Sequence, residues 1–198
     1  TEALLQSGAN VVLVDNDISK CRKLEKRLKK RFDDQLLSVE ADISKKQSVK
    51  KMVSKTMKKF KKIDILINNA VFPETKKERS IPFEKFPVDI WEKIISVNLT
   101  GTFLCCQEIG QIMRKQKNGV IINVSSIYGL VGADQRIYGK SGLNSTIAYA
   151  VTKSSILNLT RYLASYWSKH GIRVNTLSLG GVKNSQTSEY FKIDTDKK

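Results

Sequence analysis

The 198-residue sequence predicts an α/β fold, a doubly wound parallel sheet in a three-layer αβα arrangement. Two observations carry that expectation. Short apolar runs of the kind buried in parallel strands alternate with amphipathic segments of helical length. No repeat or low-complexity linker interrupts the alternation, so a single domain over 1–198 is expected, and a 40% hydrophobic composition is enough for a sizeable core.

Taken in order, "NVVLVD" at Asn10–Asp15 is a valine-rich run closed by an acid, and it reads as the first strand. "KCRKLEKRLKKRF" then sets basic residues among apolar ones at helical spacing and gives a helix over Ser19–Phe32. Leu36–Glu40 is the second strand, and "KKQSVKKMVSKTMKKFKK" repeats the helical pattern over Lys45–Phe60. "IDILIN" at Ile63–Asn68 is the third strand, followed by a long helical region over Val88–Gln116. "VIINV" at Val120–Val124 and "IRVNTL" at Ile172–Leu177 are the last two strands, with a helix over Thr146–Lys169 between them.

The formal charge of +16 raises the possibility of a nucleic-acid-binding module, since basic side chains that neutralise phosphates supply most non-specific affinity. Lysine far outnumbers arginine, however, and the basic runs lie on the two helices just described. They read as solvated outer faces, and no nucleic-acid partner is expected. No run approaches the ~18 apolar residues of a spanning helix, and "TEALLQSGAN" lacks the regions of a signal peptide. A cytoplasmic protein with no membrane partner is therefore expected. Cys21, Cys105 and Cys106 offer neither metal-ligand spacing nor a disulfide framework, so no metal site is expected.

Within the last helix, "YAVTKSSIL" sets Tyr149 four residues before Lys153, on one helical face, where phenol and ammonium can act on one object. A free phenol with a pKa near ~10 is a poor base at neutral pH, and a nearby positive charge favours its phenolate. The pair also fits an ordinary half-buried contact.

Five stretches in order, "NNA" (Asn68–Ala70), "VNLTG" (Val97–Gly101), "INVSSIYG" (Ile122–Gly129), Tyr149 with Lys153, and "RVNTLSLGG" (Arg173–Gly181), resemble the short-chain dehydrogenase/reductase family over nearly the whole chain. The resemblance implies a Rossmann-type fold and an NAD(P)-dependent oxidoreductase that moves a hydride to or from a hydroxyl or carbonyl carbon. It implies that Tyr149 exchanges a proton with the substrate oxygen. Lys153 would lower the phenol's pKa and bind the nicotinamide ribose, Ser126 would hold the same substrate oxygen, and Asn98 would complete a proton relay through a water near Lys153. Ser125 reads as structural, and His170 as a helix C-terminal cap.

For the cofactor, Asp15 at the end of the first strand would accept hydrogen bonds from the adenosine ribose and repel a 2′-phosphate, favouring NAD, with NADP possible because Lys20 and Arg22 are near. Asp15 also suits a cap for the helix near Ser19. "ADI" would contact adenine through Asp42 and Ile43. Asn69 and Ala70 would line the cofactor cleft, Asn68 and Asn69 also suit turn residues without excluding that contact, and Gly180 and Val182 would pass the nicotinamide.

Three departures from the family pattern stand out. No glycine-rich turn precedes "EALLQSG", Leu179 stands where the family usually has proline, and Ser126 and Tyr149 are more widely spaced than usual. The extra segment, "GADQRIYGKSGLNST", is expected to be a loop at the mouth of the site, with Asp134, Gln135, Arg136 and Asn144 offering polar side chains. With "LTRYLASYW" it resembles flagellin-modification oxidoreductases of surface-sugar biosynthesis, implying a sugar-like small-molecule substrate. The family also implies a homo-oligomer, dimer or tetramer, paired through Val88–Gln116 and Thr146–Lys169.

The chain is expected to be incomplete at both ends, since "EALLQSGAN" reads as the end of a helix and the C-terminus stops without a closing strand. In this family the strand ahead of Thr1 would be central, and its loss is expected to leave 1–198 aggregation-prone and unable to bind NAD. A truncated, inactive chain is accordingly the main alternative to an enzyme.

Overall fold

The computed structural model describes residues 1–181. After a short helix α1 (Glu2–Gln6), β1 (Val11–Asp15) runs parallel to β2 (Leu36–Glu40), Val11 opposite Leu36 and Asp15 opposite Glu40. Helix α2 (Ile18–Phe32) makes the crossover that a parallel pair requires. Its apolar stripe explains the packing: Leu28 joins Leu5 and Leu36 in a buried cluster, flanked by Val11, Leu13, Leu24 and Phe32. Its lysines Lys20, Lys23, Lys26, Lys29 and Lys30 are exposed, as are Lys50, Lys51, Lys55, Lys58 and Lys59 of α3 (Lys46–Phe60). The basic runs are outer helix faces.

A second sheet has the order β3 (Ile65–Asn68), β4 (Gly119–Ser126), β5 (Ile172–Leu179). β3 begins two residues later than the apolar run suggests, because the Gln116 side chain takes both backbone groups of Ile63, accepting from its N–H at 3.1 Å and donating to its carbonyl at 2.8 Å. β4 extends to Ser126, so that serine closes a strand. Between β4 and β5 lies α6 (Ile147–Trp167), which gives way to a 3₁₀ turn at Ser168–His170 and to Gly171 at φ 70°. His170 is thus at a helix end, as its sequence context suggests.

The region Val88–Gln116 is not one helix. It is α4 (Val88–Ile95), a π-helical turn at Ser96–Gly101, and α5 (Thr102–Gln116). The described residues fall into two compact units, one of Thr1–Leu66, Thr100–Ile121 and Trp167–Arg173, the other of Ile67–Leu99, Ile122–Tyr166 and the residues from Val174 on. In the first unit α3 packs on α5, with Val49, Met52, Ile109 and Met113 buried. In the second, Asn123 is wholly buried and amide-linked, accepting from Asn68 Nδ2 at 2.8 Å and donating to Thr160 Oγ1 at 2.9 Å, while Thr176 donates to the same Thr160 oxygen at 2.7 Å. Asn68 is therefore tied into the sheet.

Candidate active site

Helix α6 buries Ala148, Thr152, Ile156, Thr160 and Leu163 at three- and four-residue spacing, which orients the helix and carries Lys153 inward to 3% exposure. A buried ammonium needs acceptors. The Lys153 Nζ donates to the Val124 carbonyl at 2.7 Å, and burial holds its pKa below the ordinary lysine value. One helical turn earlier, the Tyr149 ring lies 5.6 Å from that Nζ. Ser126 is 6% exposed, and its Oγ accepts from the Tyr128 N–H at 3.2 Å.

Burial raises the pKa of the phenol above the ordinary value, the Ser126 hydrogen bond and Arg79 pull it down, and Glu74 and Tyr138 push it up. Burial is the largest of these influences, and the Lys153 ammonium one turn on donates to the Val124 carbonyl. A second phenol lies beside this one: Tyr128 is pushed up to about 12 by burial and by its hydrogen bond with Tyr138. Neither Tyr128 nor Tyr138 stood out in the sequence, nor did Glu74 and Arg79, since none belongs to a recurring spacing.

Asn98 sits in the π-helical turn and is 1% exposed. Its Oδ1 accepts from the Phe72 N–H at 2.7 Å, and its Nδ2 donates to Thr152 Oγ1 at 3.4 Å. It therefore holds the segment after β3 against α6, and such π turns concentrate at functional sites. Ser125 is structural, donating to the Lys153 carbonyl at 2.6 Å. Gly129 permits that approach: a Cβ there would lie 2.7 Å from the Lys153 carbonyl carbon and oxygen.

In the first unit, Asp15 is half-buried at the carboxyl end of β1, where its Oδ1 accepts from the Asp17 N–H at 2.9 Å. It does not cap α2. That is done by Asp17, whose Oδ1 accepts from the Ser19 N–H at 3.1 Å and whose Oδ2 lies 3.6 Å from Lys20 Nζ. Asp42 accepts from the Ser44 N–H and hydroxyl, so it shapes the turn into α3 as well as standing at the end of β2. Ile43 packs against Gly101 so closely that a Cβ there would meet its side chain at 2.8 Å, which brings "ADI" and "VNLTG" together. In the second unit Asn69, Ala70 and Gly180 are exposed, and Gly180 lies beside Ile127, next to Ser126. Val182 lies outside the described residues.

The extra segment is more ordered than a loop. It winds as a 3₁₀ turn over Gln135–Ser141, kinked at Gly139, and Asp134 caps it through the Arg136 N–H. The side chains expected to face a substrate are partly used within it. Arg136 forks onto Asp134 at 2.9 and 2.8 Å, and the Gln135 amide exchanges two hydrogen bonds with the Ser145 backbone. Asn144 N–H donates to the Arg79 carbonyl at 2.6 Å, and the Arg79 guanidinium lies 5.6 Å over the Tyr138 ring. Among the described residues no cluster could hold a metal ion, and no helix is long and apolar enough to cross a membrane.

Each unit by itself offers groups suited to part of a nicotinamide dinucleotide. Lys153 has three N–H donors and one hydrogen-bond acceptor among the described residues, which leaves donors for a ribose diol. Asp15 places a carboxylate at the carboxyl end of a parallel strand, where such folds take ribose hydroxyls.

Comparison with known proteins agrees with this chemistry. An "uncharacterized oxidoreductase" of Bacillus subtilis (strain 168) is 34% identical over 177 residues, 89% of this chain and 63% of the relative, so the chain spans about 63% of that protein's length. Post-translational flagellin modification protein A of Campylobacter coli is 29% identical over 189 residues, 96% of this chain and 73% of that protein. A crystal structure of a short chain dehydrogenase from Leptospira borgpetersenii with bound NAD+ superposes with a TM-score of 0.78 at 31% identity, covering 96% of this chain and 68% of that one. The sequence profile of the short chain dehydrogenases matches residues 1–194, and the chain belongs to that family.

Proposed function

We propose that this chain is the core of one NAD-dependent oxidoreductase domain that interconverts a hydroxyl and a carbonyl on a polar, sugar-like small molecule. The observation that carries the reading is Ser126, buried at the end of β4, with Tyr149 and the buried Lys153 one turn apart on α6, the Lys153 Nζ 5.6 Å from the centre of the Tyr149 ring. Hydride is given or taken by the nicotinamide ring when the cofactor is bound.

In the reductive direction the Tyr149 hydroxyl gives its proton to the carbonyl oxygen while Ser126 donates to the same oxygen, and the tyrosinate left behind regains a proton from solvent. Lys153 binds the ribose through its remaining donors and steadies the tyrosinate. Asn98 fixes the wall beside Lys153 through Phe72 and Thr152 and belongs to the relay in this reading. Asp15 accepts from the adenosine ribose and favours NAD over NADP, since Lys20 is already paired with Asp17. Asp42, Ile43, Asn69, Ala70, Gly180 and Val182 complete the cofactor contacts.

A sugar-like substrate is supported by the polar groups around Tyr149 and by the name of the Campylobacter coli relative. Pairing of copies through the α4–α5 and α6 helices is supported by Tyr162 and Tyr166, exposed on α6 and stacked at 5.8 Å. Nicotinamide absorbance followed across phosphorylated hexoses, nucleotide-linked hexoses and apolar secondary alcohols tests the substrate class. Turnover confined to the hydroxyl-rich compounds is expected, and preference for the apolar alcohols contradicts it.

A further inference from the structure

The segment from Gly132 to Ser145, expected to be a loop, is closed on itself within the second unit. The Gln135 amide donates to the Ser145 carbonyl at 3.1 Å and accepts from the Ser145 N–H at 2.9 Å. Inside that closure the Ser141 hydroxyl donates to the Tyr138 carbonyl at 2.6 Å and accepts from the Leu143 N–H at 3.3 Å. Every residue of Gln135–Ser141 is exposed but one. Tyr138, 7% exposed, is the anchor, and the Arg79 guanidinium lies 5.6 Å from the centre of its ring. The backbone of the same arginine accepts from the Asn144 N–H at 2.6 Å. Arg79 thus grips the segment twice, and a cation held over a desolvated ring is bound more firmly than one over an exposed ring.

Both ends of the segment run into the candidate site. Before it, Ser126 closes β4 and the turn Ile127–Gly129 leads out. After it, Thr146 is buried and carries the chain into α6, where its Oγ1 accepts from the Tyr149 N–H at 3.3 Å. We propose that Arg79 is a positioning residue for the substrate: through Tyr138 it holds 132–145 as a preformed wall at the start of α6, so that a hydroxyl-rich substrate does not have to order the segment when it binds. This rests on the reading of Ser126 and Tyr149 as the groups that act on the substrate oxygen. Preorganisation of this kind acts on substrate affinity, because a segment that is loose in the free protein must lose its freedom on binding. NAD affinity should not depend on it, since neither Arg79 nor Tyr138 is a cofactor contact in that reading.

Amide deuterium uptake reads the clasp, and steady-state kinetics reads its use. In Arg79→Met, uptake over 135–145 is expected to rise while uptake over β4 stays as in the parent. The substrate KM should rise ~2- to 10-fold, the range one cation–π contact supports, with kcat changed less and NAD affinity unchanged. Arg79→Lys keeps a cation and should recover most of both readings. Tyr138→Leu leaves the Arg79 charge in place and removes the ring beneath it, so it should reproduce Arg79→Met, and the double variant should be no worse than either single one. Unchanged uptake in Arg79→Met and Tyr138→Leu overturns the clasp, and faster uptake with an unchanged KM overturns its part in substrate binding. If Arg79→Met does not fold, Tyr138→Leu carries the same two readings alone. No turnover by the parent with any hydroxyl-rich compound contradicts the underlying catalytic reading without touching the uptake result, so the two failures are distinguishable.

Discussion

One methyl group at Gly129 should loosen the fold where α6 meets β4. A Cβ there would stand 2.7 Å from the carbonyl carbon and oxygen of Lys153 and 2.8 Å from Ser125 Oγ. Ordinary contact begins near 3.4 Å, so about 0.7 Å of separation (3.4 − 2.7) is needed. Neither neighbour yields easily. One is helix backbone, and the other is the hydroxyl bonded to that backbone at 2.6 Å. Overpacking of this kind costs ~1–3 kcal/mol, while glycine to alanine returns ~0.4–1 kcal/mol by restricting the unfolded chain. Gly129→Ala should therefore lose roughly 0.5–2 kcal/mol net. Gly132, three residues on, is the control: nothing lies within 4 Å of its Cβ position, and its φ is not in the positive region. Gly132→Ala should be neutral or slightly stabilised. Urea unfolding of the two variants and the parent reads the difference as midpoints at constant slope. A Gly129→Ala midpoint equal to or above that of Gly132→Ala refutes the packing argument.

Other perturbations separate the remaining roles. Asp15→Ala should shift the ratio of kcat/KM toward NADP, because the carboxylate that repels a 2′-phosphate is gone; an unchanged ratio means that Asp15 serves only the turn to Asp17. Asn123→Leu should cost ~1–3 kcal/mol in urea unfolding, since the Asn68 amide loses its buried acceptor, and a variant as stable as the parent contradicts that role. Lys153→Met should weaken both turnover and NAD affinity. It should also change the pH dependence of stability: the folded pKa of Lys153 is depressed below 10.5, so the unfolded chain binds the proton more tightly and this residue opposes folding below its folded pKa. That opposition fades as pH rises through the window up to 10.5, and the stability of parent relative to Lys153→Met should rise there; a difference independent of pH is the contrary result.

Strand and helix alternation was readable because short apolar runs and amphipathic helices leave strong local patterns; each of the five runs holds a strand, although β3 starts only at Ile65, and Ile65 and Ile67 on it are exposed. Ser126, Tyr149 and Lys153 were readable because their spacing is set by one strand end and one helical turn. What escaped was set by tertiary contact. The π turn around Asn98 has no periodic signature, and the apolar surplus of "IWEKIISVNLTGTFLCC" disguises it as unbroken helix. Asp15 and Asp17 both suit a helix cap on paper, and only the fold shows that Asp17 takes the Ser19 N–H. The Asp134–Arg136 fork turns two side chains expected to face a substrate toward each other.

The central claim is that the Tyr149 hydroxyl exchanges the proton while its ring only packs. Turnover and NAD affinity of Tyr149→Phe beside the parent, with the best hydroxyl-rich substrate, test it most directly. Loss of turnover with NAD affinity kept within a few-fold is the predicted result; turnover above a tenth of the parent's contradicts it.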